Sequence, residues 1–208
     1  MTIKLEELTA SELDALREVG NIGAGNAATS LSQILGKKID MTVPRARVLE
    51  FDQVPELLGG QENVVVGVYL RVFGDIQGNI MFLLPTDSAE RLIEMLMGEL
   101  EDEGLAGEVA QSAIMEVGNI LTSSYLNALS AFSGLTVVPS TPSLAYDMAG
   151  AILSTILIEL SEVSDYALLI ETEFLGDGQA IEGNFFMLPD LDSLHILLKS
   201  IGVPEDGK

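Results

Sequence analysis

The sequence predicts an α+β fold built as a tandem pseudo-two-fold repeat, each half a long helix followed by antiparallel strands with a β-hairpin and a short helix. Three observations predict it. The pentapeptide EVGNI occurs at 18–22 and again at 116–120, and the same offset of 98 pairs Leu31 with Leu129, Gly36 with Gly134 and Pro44 with Pro142. Further on, IQGNIMFLLP (76–85) is answered by IEGNFFMLP (181–189). Both copies also pass from helical to alternating hydrophobic spacing in the same order, and self-similarity at a fixed offset marks a repeated structural unit. The 208 residues therefore read as one domain, 1–208, of two homologous halves, about 10–100 and 105–202, joined by the acidic linker GELEDEGLAG.

In the first half, residues 11–35 place Leu13, Leu16, Gly20, Ala24, Ala27, Leu31 and Ile34 on one face of a long helix, with Gly36 as its stop. IDMTVPRARVLEF then reads as extended, because the residue before Pro44 is pushed out of the helical region. PELLGG makes a short helical turn, and the apolar runs NVVVGVYLRVF and IQGNIMFLLP flank Gly-Asp as a β-hairpin. TDSAERLIEMLMG predicts a short helix capped by Thr86 or Asp87 and closed by Gly98. The second half repeats the plan through TVVPSTPSLAY, DYALLIETEF, GNFFMLP and DSLHILLKSIG.

Composition narrows the function. With 32 acidic and 10 basic residues the net charge is −22, which argues against nucleic-acid and anionic membrane partners. The most apolar segment, AGAILSTILIEL (149–160), falls short of the about 20 residues that a bilayer requires. The absence of cysteine removes disulfides and thiolate metal sites and fits a reducing compartment. MTIKLEELTASEL lacks the pattern of a signal peptide, so a cytoplasmic protein is expected. His195, the single histidine, sits in an apolar-periodic segment and reads as structural, with no Ser/His/Asp set beside it. No carboxylate or histidine spacing suggests a metal site, and Met95, Met97, Met115 and Met187 fit core filling.

The glycine-rich stretch REVGNIGAGNAATS (17–30) invites a phosphate-loop reading, but the order Gly20-x-x-Gly23-x-Gly25 and its helical context do not match a dinucleotide fingerprint. Gly20 and Gly118 fall in the middle of the apolar stripe, where a small residue lets a helix pack closely. Gly25 points the other way.

That other side carries the candidate chemistry. Asp14, Glu18 and Asn21 are spaced i, i+4, i+7 and share one strip, continued by Gly25 and Ser32. Ser112, Glu116 and Asn119 occupy the matching strip, continued by Ser123 and Ser130. A solvated face does not demand glutamate and asparagine in particular, yet both recur, as does a proline twenty-three residues beyond each asparagine. Common descent of the two halves would also retain them.

Asp14-x3-Glu18-x2-Asn21-x22-Pro44 and Ser112-x3-Glu116-x2-Asn119-x22-Pro142 resemble the duplicated signature of the CheC/CheX/FliY family of chemotaxis phosphatases, over nearly the whole chain. The resemblance implies hydrolysis of the aspartyl phosphate of phosphorylated CheY. Asn21 and Asn119 would position the attacking water, and Glu18 and Glu116 would pair with a lysine of the regulator. Asp14, Ser112, Gly25 and Ser123 are weaker contact candidates, the small Gly25 and Ser123 allowing close approach. The chain would carry no cofactor of its own, with Mg²⁺ supplied by the CheY active site. CheD is the second partner implied, through PSLAYDMAGAILSTILIEL. The alternative is a non-catalytic binding module that sequesters CheD or docks at the flagellar switch. GAGN in the first copy against LTSS in the second implies two sites of unequal strength.

Overall fold

The computed structural model describes residues 8–98, 104–159, 166–176 and 179–200. The first half runs α1 (Ala10–Leu35), β1 (Asp40–Thr42), β2 (Ala46–Glu50), α2 (Val54–Leu57), β3 (Val64–Gly74), β4 (Gly78–Pro85) and α3 (Thr86–Met97). The second half repeats that order as α4 (Glu108–Ser133), β5 (Val137–Pro139), β6 (Ser143–Met148), α5 (Ala149–Glu159), β7 (Tyr166–Gly176), β8 (Gln179–Pro189) and α6 (Leu191–Ser200). Of the linker, residues 104–106 form a single 3₁₀ turn that buries Leu105, and 99–103 lie outside the described residues, as do Leu160 and Gly202.

α1 begins with a capping box. The Thr9 hydroxyl accepts the Glu12 N–H while the Glu12 carboxylate accepts the Thr9 N–H, satisfying two donors a helix start would leave open. It ends at Gly36, whose φ of 63° is the left-handed stop expected of glycine, and Gly134 ends α4 in the same way at φ 74°. The short helix α3 starts one residue earlier than expected. Pro85 holds the cap position, and the Thr86 hydroxyl donates instead to the Val64 carbonyl on β3 at 2.7 Å.

All eight strands join one antiparallel sheet, in the order β1-β7-β8-β4-β3-β5, with β2 also on β7 and β6 also on β3. The halves thus exchange strands. Asp40 pairs with Leu175 and Val48 with Leu168, whereas Val137 pairs with Gly74 and Leu144 with Val68. β4 and β8 meet at the centre, bringing Ile80 opposite Met187. Each half donates its two short strands to the hairpin of the other, which is why neither set of short strands has a sheet neighbour in its own half.

Alternation sorts the side chains onto two faces. Val66, Val68, Ile80, Phe82, Leu168, Ile170 and Phe185 join Leu16, Ala27, Leu92, Ile114, Leu121 and Leu197 under α1, α3, α4 and α6. Val65, Met81, Leu83, Leu169 and Phe186 pack on the other face with Val54, Ile152 and Leu153 from α2 and α5.

The two long helices lie together on the first face and touch at Gly23. A Cβ there would stand 2.8 Å from the Cα of Tyr125, so backbone meets backbone. Tyr125 is locked below that contact by an edge-to-face packing on Phe185, with ring centroids 4.6 Å apart, and by a 3.0 Å hydrogen bond between its hydroxyl and Thr172. Burial pushes its phenol up to about 12.

Three expectations need correction. Met97, expected to fill the core, is 51% exposed at the last position of α3. Ile34 lies in the core direction of the helix but is 64% exposed, because the last turn of α1 runs past the buried layer that ends at Leu31. Gly20 is buried as expected, yet a Cβ there would meet Val43 and Ile170 at an ordinary 3.5 Å, so packing does not require a glycine. Gly118 does fit the close-packing reading, since a Cβ would lie 2.7 Å from Val68.

Candidate functional site

Each strip lies on the flank of its long helix, turned away from the sheet. Asp14, Glu18 and Gly25 on α1 are exposed, as are Ser112 and Glu116 on α4, while Asn21, Asn119 and Ser123 are half-buried. A Cβ on Gly25 would have nothing within 4 Å, so the surface there is open. Further along the strips, Ser32 and Ser130 bind the chain itself. Ser32 grips both backbone groups of Ile39, and the Ser130 hydroxyl donates to the Leu135 carbonyl, each tying the end of a long helix to the chain that leaves it.

The two asparagines are in different states. The Asn21 Oδ1 accepts the Val43 N–H at 2.9 Å, and its Nδ2 donates to the Val43 carbonyl at 3.3 Å and to the Arg17 carbonyl at 3.2 Å. Its carboxamide therefore acts as a strand partner for the residue just before Pro44, whose extended backbone presents both groups to it. Val43 is buried, and its backbone polar groups need such a partner. This explains the spacing of asparagine and proline in the first copy.

In the second copy the matching residue before the proline is Thr141. It is exposed, and its carbonyl accepts from the Ser140 hydroxyl at 2.9 Å. Asn119 has no such duty and makes no side-chain hydrogen bond among the described residues. Its acceptor and its donors remain available to something outside the chain.

The carboxylates follow the same division. Arg17 places its Nη2 at 3.3 Å from Glu18 and 3.6 Å from Asp14, partly offsetting both charges. Met115 stands at the corresponding place in α4, and Glu116 has no ion pair among the described residues. The arginine is a residue that sequence reasoning missed, and the unlike pair Arg17/Met115 just before the repeated EVGNI was the available signal. Gly23 was missed as well, its role being visible only once α1 and α4 are seen to cross there.

His195 is half-buried on α6, apart from both strips. Among the described residues no group of three or more histidines and carboxylates is arranged to hold a metal ion. No described helix is long and apolar enough to cross a membrane.

A duplicated α+β protein whose paired long helices each present a carboxylate and a carboxamide three residues apart is the class that this fold and site define. Residues 12–47 and 109–146 match the CheC-like family, two spans that carry the two motif copies. The chain is 41% identical over 197 residues to the CheY-P phosphatase CheC of Bacillus subtilis, covering 92% of this chain and 94% of that protein. The protein belongs to the CheC-like family. Among solved structures it is similar to FliY of Thermotoga maritima, with a TM-score of 0.72 and 27% identity over 93% of this chain and 97% of that one. The middle domain of FliM from H. pylori shares the fold, at a TM-score of 0.62 and 11% identity, covering 93% and 99% of the two chains.

Proposed function

We propose that the protein is a phosphatase that hydrolyses the aspartyl phosphate of a CheY response regulator in the cytoplasm, a single domain whose two homologous halves each carry a site. The observation that carries the reading is that Asn119 and Glu116, side by side on an open helix flank, have no side-chain hydrogen bond and no ion pair among the described residues. The relative named CheY-P phosphatase CheC supports the substrate.

An aspartyl phosphate is a mixed anhydride, and its hydrolysis needs a water held in line with the leaving carboxylate. Most of what an accelerating partner can supply is that alignment. The amide oxygen of Asn119 accepts one water hydrogen and aims the water at phosphorus, and Nδ2 steadies the assembly without adding a negative charge that would repel phosphate. The P–O bond to aspartate breaks as the water oxygen bonds to phosphorus, releasing the carboxylate and inorganic phosphate. Glu116 lies about 4.5 Å back along the helix axis, so it cannot share the water and instead anchors a basic side chain of the regulator. Asn21 and Glu18 take the same roles at the other site once Asn21 yields its Val43 contacts and Glu18 its pair with Arg17. Any Mg²⁺ belongs to the regulator, and no residue of this chain is assigned to it.

Asp14, Ser112, Gly25 and Ser123 border the contact, with Gly25 admitting a close partner surface. Gly25→Trp should weaken regulator binding at the first site by about fivefold, the scale of a modest steric loss at an interface. Unchanged binding would remove Gly25 from the contact. The test of the whole reading is phosphate release from phosphorylated CheY: wild type accelerates it, and Asn21→Ala/Asn119→Ala leaves only the regulator's own rate. A fully active double variant would end the water-positioning assignment.

A binding role beside hydrolysis is favoured by one further feature. β6 is an edge strand that exposes Tyr146 and Met148 around Asp147, within the segment expected to meet CheD. We place a CheD contact there, separate from both motif strips. Retention of CheD by the Asn21→Ala/Asn119→Ala variant, measured by titration, checks that separation.

A further inference from the structure

Arg17 is the one cation on either motif strip, and its setting distinguishes the two sites. Its Nη2 reaches Glu18 at 3.3 Å and Asp14 at 3.6 Å, while its Nε is buried and has no hydrogen-bond partner among the described residues. The guanidinium is therefore held by its packed stem and does not swing freely in solvent. At the corresponding position α4 carries Met115, which has no charge to offer Glu116.

We propose that Arg17 sets the regulator affinity of the first site by holding Glu18 in an internal ion pair. This rests on the reading that Glu18 and Glu116 anchor a basic group of the regulator. A regulator that docks on α1 must take Glu18 from Arg17 and bring its own cation beside the guanidinium. Docking on α4 meets a carboxylate with no competitor. Asp14, whose counterpart in α4 is the uncharged Ser112, holds the guanidinium from its other side at 3.6 Å. Arg17 acts through Glu18 and is a positioning residue. It contributes to Asn21 only its main-chain carbonyl, which any residue supplies.

The test isolates the first site in a Glu116→Ala/Asn119→Ala background and measures steady-state hydrolysis of phosphorylated CheY. Adding Arg17→Met should lower KM by about threefold to fivefold, the worth of an exposed ion pair, with kcat unchanged. Arg17→Lys keeps a cation beside Glu18 and should keep the high KM. An unchanged or higher KM in Arg17→Met overturns the proposal, and so does a fall in Arg17→Lys equal to that in Arg17→Met. Adding Asn21→Ala to the same background separates the two levels. If the rate then falls to the regulator's own, the site reading stands whatever Arg17 does, and if acceleration above that rate persists, the site reading itself fails. Met115 shows that methionine is compatible with this helix position, and a thermal midpoint near the parent's checks that Arg17→Met folds.

Discussion

Asn119→Ala is expected to slow regulator dephosphorylation by about 10- to 100-fold, the range seen when a reacting group loses its alignment, while leaving the thermal midpoint nearly unchanged. Asn21→Ala should do the reverse. Its carboxamide is spent on the Val43 N–H and carbonyl and the Arg17 carbonyl, at 2.9, 3.3 and 3.2 Å. Removing it strands buried backbone groups and costs about 1–2 kcal/mol, a fall of about 3–6 °C in Tm for a chain of this size. Its effect on the rate should stay near twofold at most, because the fully available Asn119 carries most of the flux; twofold is about 0.4 kcal/mol. Phosphate release and thermal melts on the two single variants decide it. Equal rate losses, with no difference in stability, would mean that the Val43 contacts open freely when the regulator docks.

Gly23→Val is expected to cost on the order of 3 kcal/mol or more, at the upper end of overpacking penalties. The branch point would be built 2.8 Å from the Cα of Tyr125 and 2.2 Å from a ring carbon of the same residue. The ring cannot turn aside, being held on Phe185 and Thr172. The helices must part, and both motif strips ride on them. Loss of stability in denaturant melts should therefore be accompanied by weaker regulator binding at both sites. Gly25→Val, two residues away and open to solvent, is the control for stability alone and should be near neutral, because glycine is the poorer helix former by about 0.3 kcal/mol. A small penalty at Gly23 would show that the helices separate easily.

Much of the fold could be read in advance, because the repeated order of elements is written in hydrophobic period and in Gly36, Gly134, Pro44 and Pro142, each of which acts on its immediate neighbours. Strand exchange between the halves could not. Alternation says that residues 40–50 are extended, and says nothing about whether they pair with β3 or with β7. The motif strips were likewise legible from helical spacing, since that depends only on residues a turn apart. What spacing did not reveal is the state of each carboxamide. Asn21 is claimed by the buried Val43, whereas the exposed Thr141 makes no such demand on Asn119. These are tertiary facts, decided by whether the residue before the proline is buried.

The exchanged strands also have a kinetic meaning. During synthesis, β1 and β2 leave the ribosome long before their partner β7, so Asp40 must wait for Leu175 and Arg47 for Leu169. The hairpin β3–β4 can close at once, yet its outer edge stays open until β5 and β6 arrive. Folding dominated by such distant pairings is slow, because loop closure comes before the contacts that reward it. The first α1 strip is thus made early but secured late, when the last strands of the chain seat the segment that holds Val43 against Asn21.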